Sequence, residues 1–330
     1  MYYLAQSLAR ADRLLDYIEA YTLLTAYYVH KDRFHQATHN GGVAMLFAAA
    51  CGLHTLRPPE WSGKSSLLPP PRSRTEIRRR VRVWWMVYTL NRFGSATMNT
   101  HIDMEDEEIL TIWDPPSDSR APERAPPRSV CSLFIRNSGA TSVYDDSANA
   151  IRSKCVALVY QAINIGHEAV SAPESNHVFW EQFQTIEQAI HEPNEETNHY
   201  TSFPHLLVRD AVISLHFKRA CAGNATSLDS CLDASREAML VIRQTLKQNM
   251  CISAFAYTVV AWARIFRVFA TEYERLIAVG DDEKAQLIIP ELKVLSKALR
   301  QRAATSGMTR AVIAGLKAKF TSLQHENGMF

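Results

Sequence analysis

The sequence predicts an all-α protein: a multi-helix array of packed helical hairpins around one extended core, with a long proline-rich loop. Three observations predict it. Apolar residues recur at spacings of three and four over most of the chain, the repeat of an amphipathic helix. Strict apolar–polar alternation, the mark of a strand, is scarce. Capping residues, glycines and prolines punctuate the periodic stretches at helix-length intervals. The 330 residues have the length of one large helical domain or two ordinary ones, and 1–330 is read as one.

Leu4, Leu8, Ala11, Leu15 and Ile18 share one helical face, which Tyr21, Leu24 and Tyr28 continue. Lys31-Asp32 breaks that helix, and a second is expected from Phe34 to Leu53. Gly41-Gly42 either weakens its middle or lets another helix cross closely. Residues 57–73 form a loop, because Pro69-Pro70-Pro71 cannot sit inside a helix. Thr75 is the expected N-cap of the next helix, which should fade near Gly94.

Residues 101–147 read as an irregular insert. It opens on Asp103, Glu105, Asp106, Glu107 and Glu108, then passes through Asp114-Pro115-Pro116 and Ala125-Pro126-Pro127-Arg128. Asp145-Asp146-Ser147 offer N-caps for the helices that follow. These are expected at 148–170, 177–191, 202–222, 227–248, 251–279, 282–304 and 308–323. Pro204 suits a first turn, Gly280 a C′ position, and Asp281 or Asp282 the next N-cap. Pro290 should kink or split the helix that contains it.

Composition excludes several classes. The hydrophobic fraction is 47% and the charged fraction 21%, as in a soluble globular protein. A net charge of +2 gives no global attraction to nucleic acid or to an anionic membrane. Val43 to Leu53, the best apolar run, is far short of the roughly 20 residues a bilayer requires. Arg10, Asp12 and Arg13 interrupt any secretory signal. Cys51, Cys131, Cys155, Cys221, Cys231 and Cys251 lie far apart, so reduced, mostly buried thiols are expected rather than a zinc cluster.

The most informative segment is Arg78-Arg79-Arg80-Val81-Arg82-Val83-Trp84-Trp85-Met86-Val87-Tyr88-Thr89-Leu90-Asn91-Arg92. At helical spacing Ile77, Val81, Trp84 and Tyr88 form an apolar stripe, widened by Trp85 and Phe93. Arg74, Arg78 and Arg82 line another face, with Arg79 and Arg80 beside them. The expectation is a core helix whose indoles are buried and whose guanidiniums are neutralised by neighbours, the nearest acidic supply being Asp103, Asp106, Glu107 and Glu108. Truncating Arg78 or Arg82 should then destabilise the fold. A nucleic-acid surface is the weaker reading, since the same helix must bury two tryptophans.

This basic run, tryptophan pair and apolar helix ending in arginine resembles the signature of the fungal-specific transcription factor domain. That is the helical regulatory region of zinc binuclear cluster transcription factors. Arg78, Arg79, Arg80, Trp84, Trp85, Tyr88, Leu90 and Arg92 stand where the pattern places them. Asn91 replaces the usual aspartate, and the glycine–arginine–proline that often follows is missing. Upstream, Gly52-Leu53-His54 matches the end of the family's preceding helix pair, and downstream Ile102 and Asp106 to Ile109 resemble its acidic stretch. Cys231, Ala234 and Ala238 fit a later, less specific part, so the resemblance is good over 12–115 and generic beyond.

The resemblance implies a nuclear protein that modulates transcription through the transcription machinery or regulatory proteins, with a small-molecule effector held between helices. It also implies an amino-terminally truncated chain. DNA would be reached through a zinc cluster domain outside this sequence, and zinc would be bound there. No catalytic, cofactor or metal residues are assigned in this chain, and no enzyme activity is expected. Two alternatives stay open: a helical scaffold or interaction protein, and an all-α metal-dependent enzyme of terpene-synthase type. The second would use Asp103 to Glu108 and Asp145-Asp146, though a third aspartate after that pair is lacking. His35 and His39 form an i,i+4 pair near His30, read as structural or solvated.

Overall fold

A computed structural model of the chain describes residues 13–59, 61, 66–98, 104–115, 129–134, 147–196, 202–247, 256–321 and 323. It is 81% helical, with ten helices and, among the described residues, no strands. Several expectations fall outside those residues: the helix start at Leu4, Asp103, the proline-rich passage beyond Pro115, Asp145, Asp146 and Cys251. Where the sequence anticipates one extended core, the contacts cluster in two compact units. The first comprises 1–29, 33–160 and 191–198, the second 30–32, 161–190 and 199–330.

The first unit holds α1 (Leu14–His30), α2 (Phe34–Ala50), α3 (Arg74–Met98) and α4 (Ala148–Glu168) as far as Tyr160. α2 ends earlier than Leu53, because Gly52 takes φ 69° and its N–H bonds back to Ala49 O at 2.8 Å. A short 3-10 turn, Leu53–Thr55, follows. Gly41 lets α1 come close: a Cβ there would stand 3.4 Å from Thr25 Cγ2, while nothing faces Gly42.

Ser73 rather than Thr75 caps α3. Its Oγ accepts from Glu76 N–H at 3.2 Å, and Glu76 Oε2 accepts from Arg72 N–H at 2.9 Å. The spacing Ser73-x-x-Glu76 is that of a capping box, but the Glu76 carboxylate reaches back to Arg72 N–H rather than to Ser73, and these two bonds secure the helix start ahead of Thr75. The helix continues through Gly94, which is buried, to Met98. Burial of this turn outweighs a glycine penalty of about 1 kcal/mol. Ser147 caps α4 as expected, with Oγ accepting from Ala150 N–H at 3.2 Å.

The second unit holds the end of α4, α5 (His177–Glu196) as far as Ile190, α6 (Ser202–Cys221), α7 (Ala225–Lys247), α8 (Ala256–Ala278), α9 (Asp282–Ala303) and α10 (Gly307–Lys319). α8 is its central helix and packs on α6, α7, α9 and α10. Ala261, Trp262, Ile265, Phe266, Val268, Phe269 and Ala270 are all buried, so α8 is apolar around most of its circumference, as an enclosed helix must be. Gly280, at φ 76°, ends it: Gly280 N–H bonds Ile277 O at 3.1 Å and Asp281 N–H bonds Leu276 O at 3.0 Å. Asp281 then caps α9 by accepting from Lys284 N–H at 3.2 Å. α9 remains one helix with Pro290 inside it. Asp32 meets the first turn of α10, accepting from Gly307 N–H and, at 2.9 Å, from Met308 N–H. No helix among the described residues is long and apolar enough to cross a membrane.

Candidate functional site

The site is built around α3, where consecutive large side chains leave little of the helix for solvent. Val81, Val83, Trp84, Trp85, Val87 and Tyr88 are all buried, Trp84 at 0% and Trp85 at 2% exposure. Trp85 stacks on Trp113, with centroids 4.1 Å apart and planes 19° apart. It meets Tyr88 edge-on at 5.3 Å and donates from Nε1 to Ile112 O at 3.0 Å. Trp84 lies between Trp85, at 6.4 Å, and His54, at 6.0 Å.

The segment that supplies Trp113 runs beside the turn after α2. His54 O accepts from Leu110 N–H at 2.8 Å and Thr111 N–H at 3.0 Å, and Leu56 O accepts from Ile112 N–H at 3.1 Å. Thr111 Oγ1 donates to Leu53 O at 2.5 Å and accepts from Leu56 N–H at 2.9 Å. These bonds satisfy two non-helical stretches that have no ladder of their own. The three segments carrying the family resemblance, at 52–54, 78–92 and 106–109, thus lie in one buried cluster or directly beside it.

Arg92 closes the junction. Its side chain is 1% exposed and pairs with Asp106, Nη2 lying 2.8 Å and Nε 3.2 Å from Oδ1. Nη2 also donates to Met104 O at 2.6 Å. The guanidinium lies over the rings of Tyr88, at 5.0 Å, and of Tyr160 in α4, at 4.9 Å. Tyr88 donates to Asp106 Oδ1 at 3.3 Å. Burial, and then the adjacent carboxylate, pushes the Tyr88 phenol well above its usual range, so it remains a donor. Asn91, where the pattern has aspartate, accepts weakly from Arg92 Nη1 at 3.3 Å.

The other arginines find different partners from those expected. Arg79 pairs with Asp16 and Glu19 of α1. Arg80 is buried, donating to Pro69 O at 2.7 Å and pairing with Glu76 one turn earlier. Arg82 is exposed, 3.6 Å from Glu19. Arg78 is exposed and has no ion pair among the described residues. The acidic segment therefore does not neutralise the arginine run. Thirteen residues, about 20 Å of helix, separate Arg79 from Arg92, and the acidic segment lies at the far end. Among the described acidic residues of that segment Asp106 alone is buried against α3; Glu105, Glu107 and Glu108 are exposed. Glu108 instead forms a capping box with Glu105 around their own short turn.

Sequence reasoning missed Asp16, Glu19, Glu76, Tyr160 and Trp113. A signal existed for the first two, the acidic residues of α1, spaced three apart. None existed for Tyr160. Burial, partly offset by Glu108, lowers the pKa of His54, and burial pushes the Cys51 thiol up to about 11 despite the Arg80 guanidinium. His30, His35 and His39 are exposed, and no group of three or more metal-ligating side chains occurs among the described residues. Cys51, Cys155 and Cys231 are buried and form no disulfide among the described residues, as expected of reduced thiols.

The arrangement can hold three chain segments in one register through Arg92, Asp106, Thr111 and the Trp85 indole N–H, while the Trp84 and Trp113 indole nitrogens are buried without a hydrogen-bond partner among the described residues. No family model, curated protein or solved structure matches this chain.

Proposed function

We propose that the chain is a regulatory helical domain of the fungal zinc-cluster transcription factor type, modulating transcription in the nucleus. One observation carries the reading. The segments singled out by resemblance, separated by tens of residues, meet around Trp84, Trp85 and the buried Arg92–Asp106 pair. Residues that share a structural task give a resemblance in sequence a physical reason. In this reading the junction fixes the register of the domain, and regulatory proteins dock on its outer helices. Zinc and DNA belong to a separate module.

The test is a fusion of the full chain to a foreign DNA-binding domain in a reporter strain. Reporter output should change by several-fold relative to that DNA-binding domain alone. A folded, nuclear fusion that leaves output unchanged would favour a helical scaffold. The purified chain should give no sequence-specific gel shift at physiological salt. Nanomolar binding to one DNA site would overturn the reading.

A further inference from the structure

A second polar feature lies in the second unit, on the outer side of α6. It begins with a close helix crossing. A Cβ on Gly166 would stand 2.3 Å from Ser214 O and 2.9 Å from Leu215 O, so the last turn of α4 rests directly on the α6 backbone. That contact carries the next residue, His167, to α6, where Lys218 Nζ lies 2.8 Å from His167 Nδ1. Ser214, one turn before Lys218, accepts from Arg264 Nη1 of α8 at 3.2 Å. Arg267 follows Arg264 by one turn of the same helix.

Three helices therefore contribute to one cationic surface: His167 beside Lys218, Arg264 on Ser214 one turn before Lys218, and Arg267 one turn beyond Arg264. Asp210 neutralises Arg264, with Oδ2 2.6 Å from Nη1. Among the described residues no carboxylate makes an ion pair with His167, Lys218 or Arg267, all three of them exposed. Glu168 is next to His167 in sequence but forms no such pair. Among the described residues Lys218 and Arg267 leave two positive charges without a counter-charge, Lys218 against the His167 imidazole and Arg267 one turn from the arginine that holds Ser214.

We propose that this cluster binds a phosphate-type dianion, the group presented by a phosphorylated small molecule. Two uncompensated cations match two negative charges, and the guanidinium, ammonium and hydroxyl supply donors suited to tetrahedral oxygens. His167 is part of the response. It now accepts a hydrogen bond from Lys218 and is therefore neutral at Nδ1. Partial burial, then Lys218 and Arg264, holds its pKa below the usual histidine range. When the dianion engages Lys218, Nδ1 is released and the added negative charge favours the imidazolium. Binding is coupled to uptake of a proton by His167. The site does not depend on the transcriptional reading, since its geometry lies wholly within the second unit.

The experiment follows histidine Cε1–H resonances of the full chain by NMR, with His167→Gln identifying the signal. Sodium sulfate, which does not titrate near neutrality, and sodium phosphate are compared with sodium chloride at matched ionic strength. Both dianions should move the His167 resonance toward its protonated position, and chloride should not. Lys218→Gln and Arg267→Gln should each weaken binding by about tenfold, the loss of one charge-assisted hydrogen bond. Both side chains are exposed, and unchanged helical circular dichroism checks that the variants fold. An equal response to chloride, or undiminished affinity in both variants, overturns the proposal. Vesicles containing phosphatidic acid should not sediment the chain. Sedimentation abolished by Lys218→Gln would overturn the assignment to a soluble ligand.

Discussion

Each unit buries an arginine–aspartate pair with a tyrosine hydroxyl on the same carboxylate, yet the two trios serve different ends. In the first, Tyr88, Arg92 and Asp106 join α3 to a non-helical segment, and Arg92 is sandwiched by two tyrosine rings. In the second, Tyr257 and Arg264 of α8 both reach Asp210 Oδ2 of α6. Arg92 is 1% exposed and has a backbone carbonyl as a further acceptor, while Arg264 is 17% exposed and touches a serine hydroxyl. Asp210 is fully buried, and its Oδ1 has no partner among the described residues. The same three residue types thus make a closed staple in one place and, in the other, a pair whose arginine edges a solvent-facing cationic cluster. The difference is how much water the guanidinium can reach.

The largest expected effect comes from breaking the staple. Asp106→Asn keeps the shape but leaves Arg92 charged and enclosed, at a cost of about 3–5 kcal/mol, the usual penalty for removing one partner of a buried pair. Asp210→Asn should cost less, about 1–3 kcal/mol, because Arg264 keeps Ser214 and some hydration. Urea midpoints followed by tryptophan fluorescence and circular dichroism give both numbers. If Asp210→Asn proves equal or worse, exposure of the arginine is not what separates the trios.

Glycines sharpen the same contrast. Gly166→Ala pushes a methyl against the rigid backbone of α6 at Ser214, and the crossing must open, at about 1–3 kcal/mol. Gly42→Ala, within α2 of the first unit, meets nothing and should stabilise by about 0.5–1 kcal/mol through helix propensity. Melting temperatures should move in opposite directions. A Gly166→Ala protein as stable as the parent would mean that α4 and α6 are less tightly seated than the distances state. It would also weaken the placement of His167 on α6.

The first trio was largely legible in the sequence and the second was not. Tyr88, Arg92 and Asp106 lie within nineteen residues, inside a segment with an unusual density of arginine and tryptophan. Asp210, Tyr257 and Arg264 span more than fifty residues, with Asp210 on α6 and the other two on α8, and no dense motif surrounds them. Their pairing depends on how α6 packs on α8, which no local spacing encodes. The same reason explains the caps. Ser147, Asp281 and Gly280 were readable because capping is a local event, decided within four residues. The partners of Arg79 were legible only in part: α1 carries two acids spaced three apart, but it lies sixty residues away and their spacing does not say which helix they face.

The smallest expected effect separates the arginines of α3 from one another. The sequence alone puts weight on Arg78 and Arg82, but both are exposed. Arg78→Ala should leave stability within experimental error. Arg79→Ala loses a paired contact to Asp16 and Glu19, but the guanidinium is 39% exposed. Solvent screening discounts it to about 0.5 kcal/mol, further reduced by added salt. Arg82→Ala falls between them, its distance to Glu19 being 3.6 Å. Arg80 is the exception within the run, since it is enclosed and holds the Pro69 carbonyl. The order of destabilisation should therefore follow burial, Arg80 first and Arg78 last. A flat series would mean that the run acts as a charged surface rather than as part of the core.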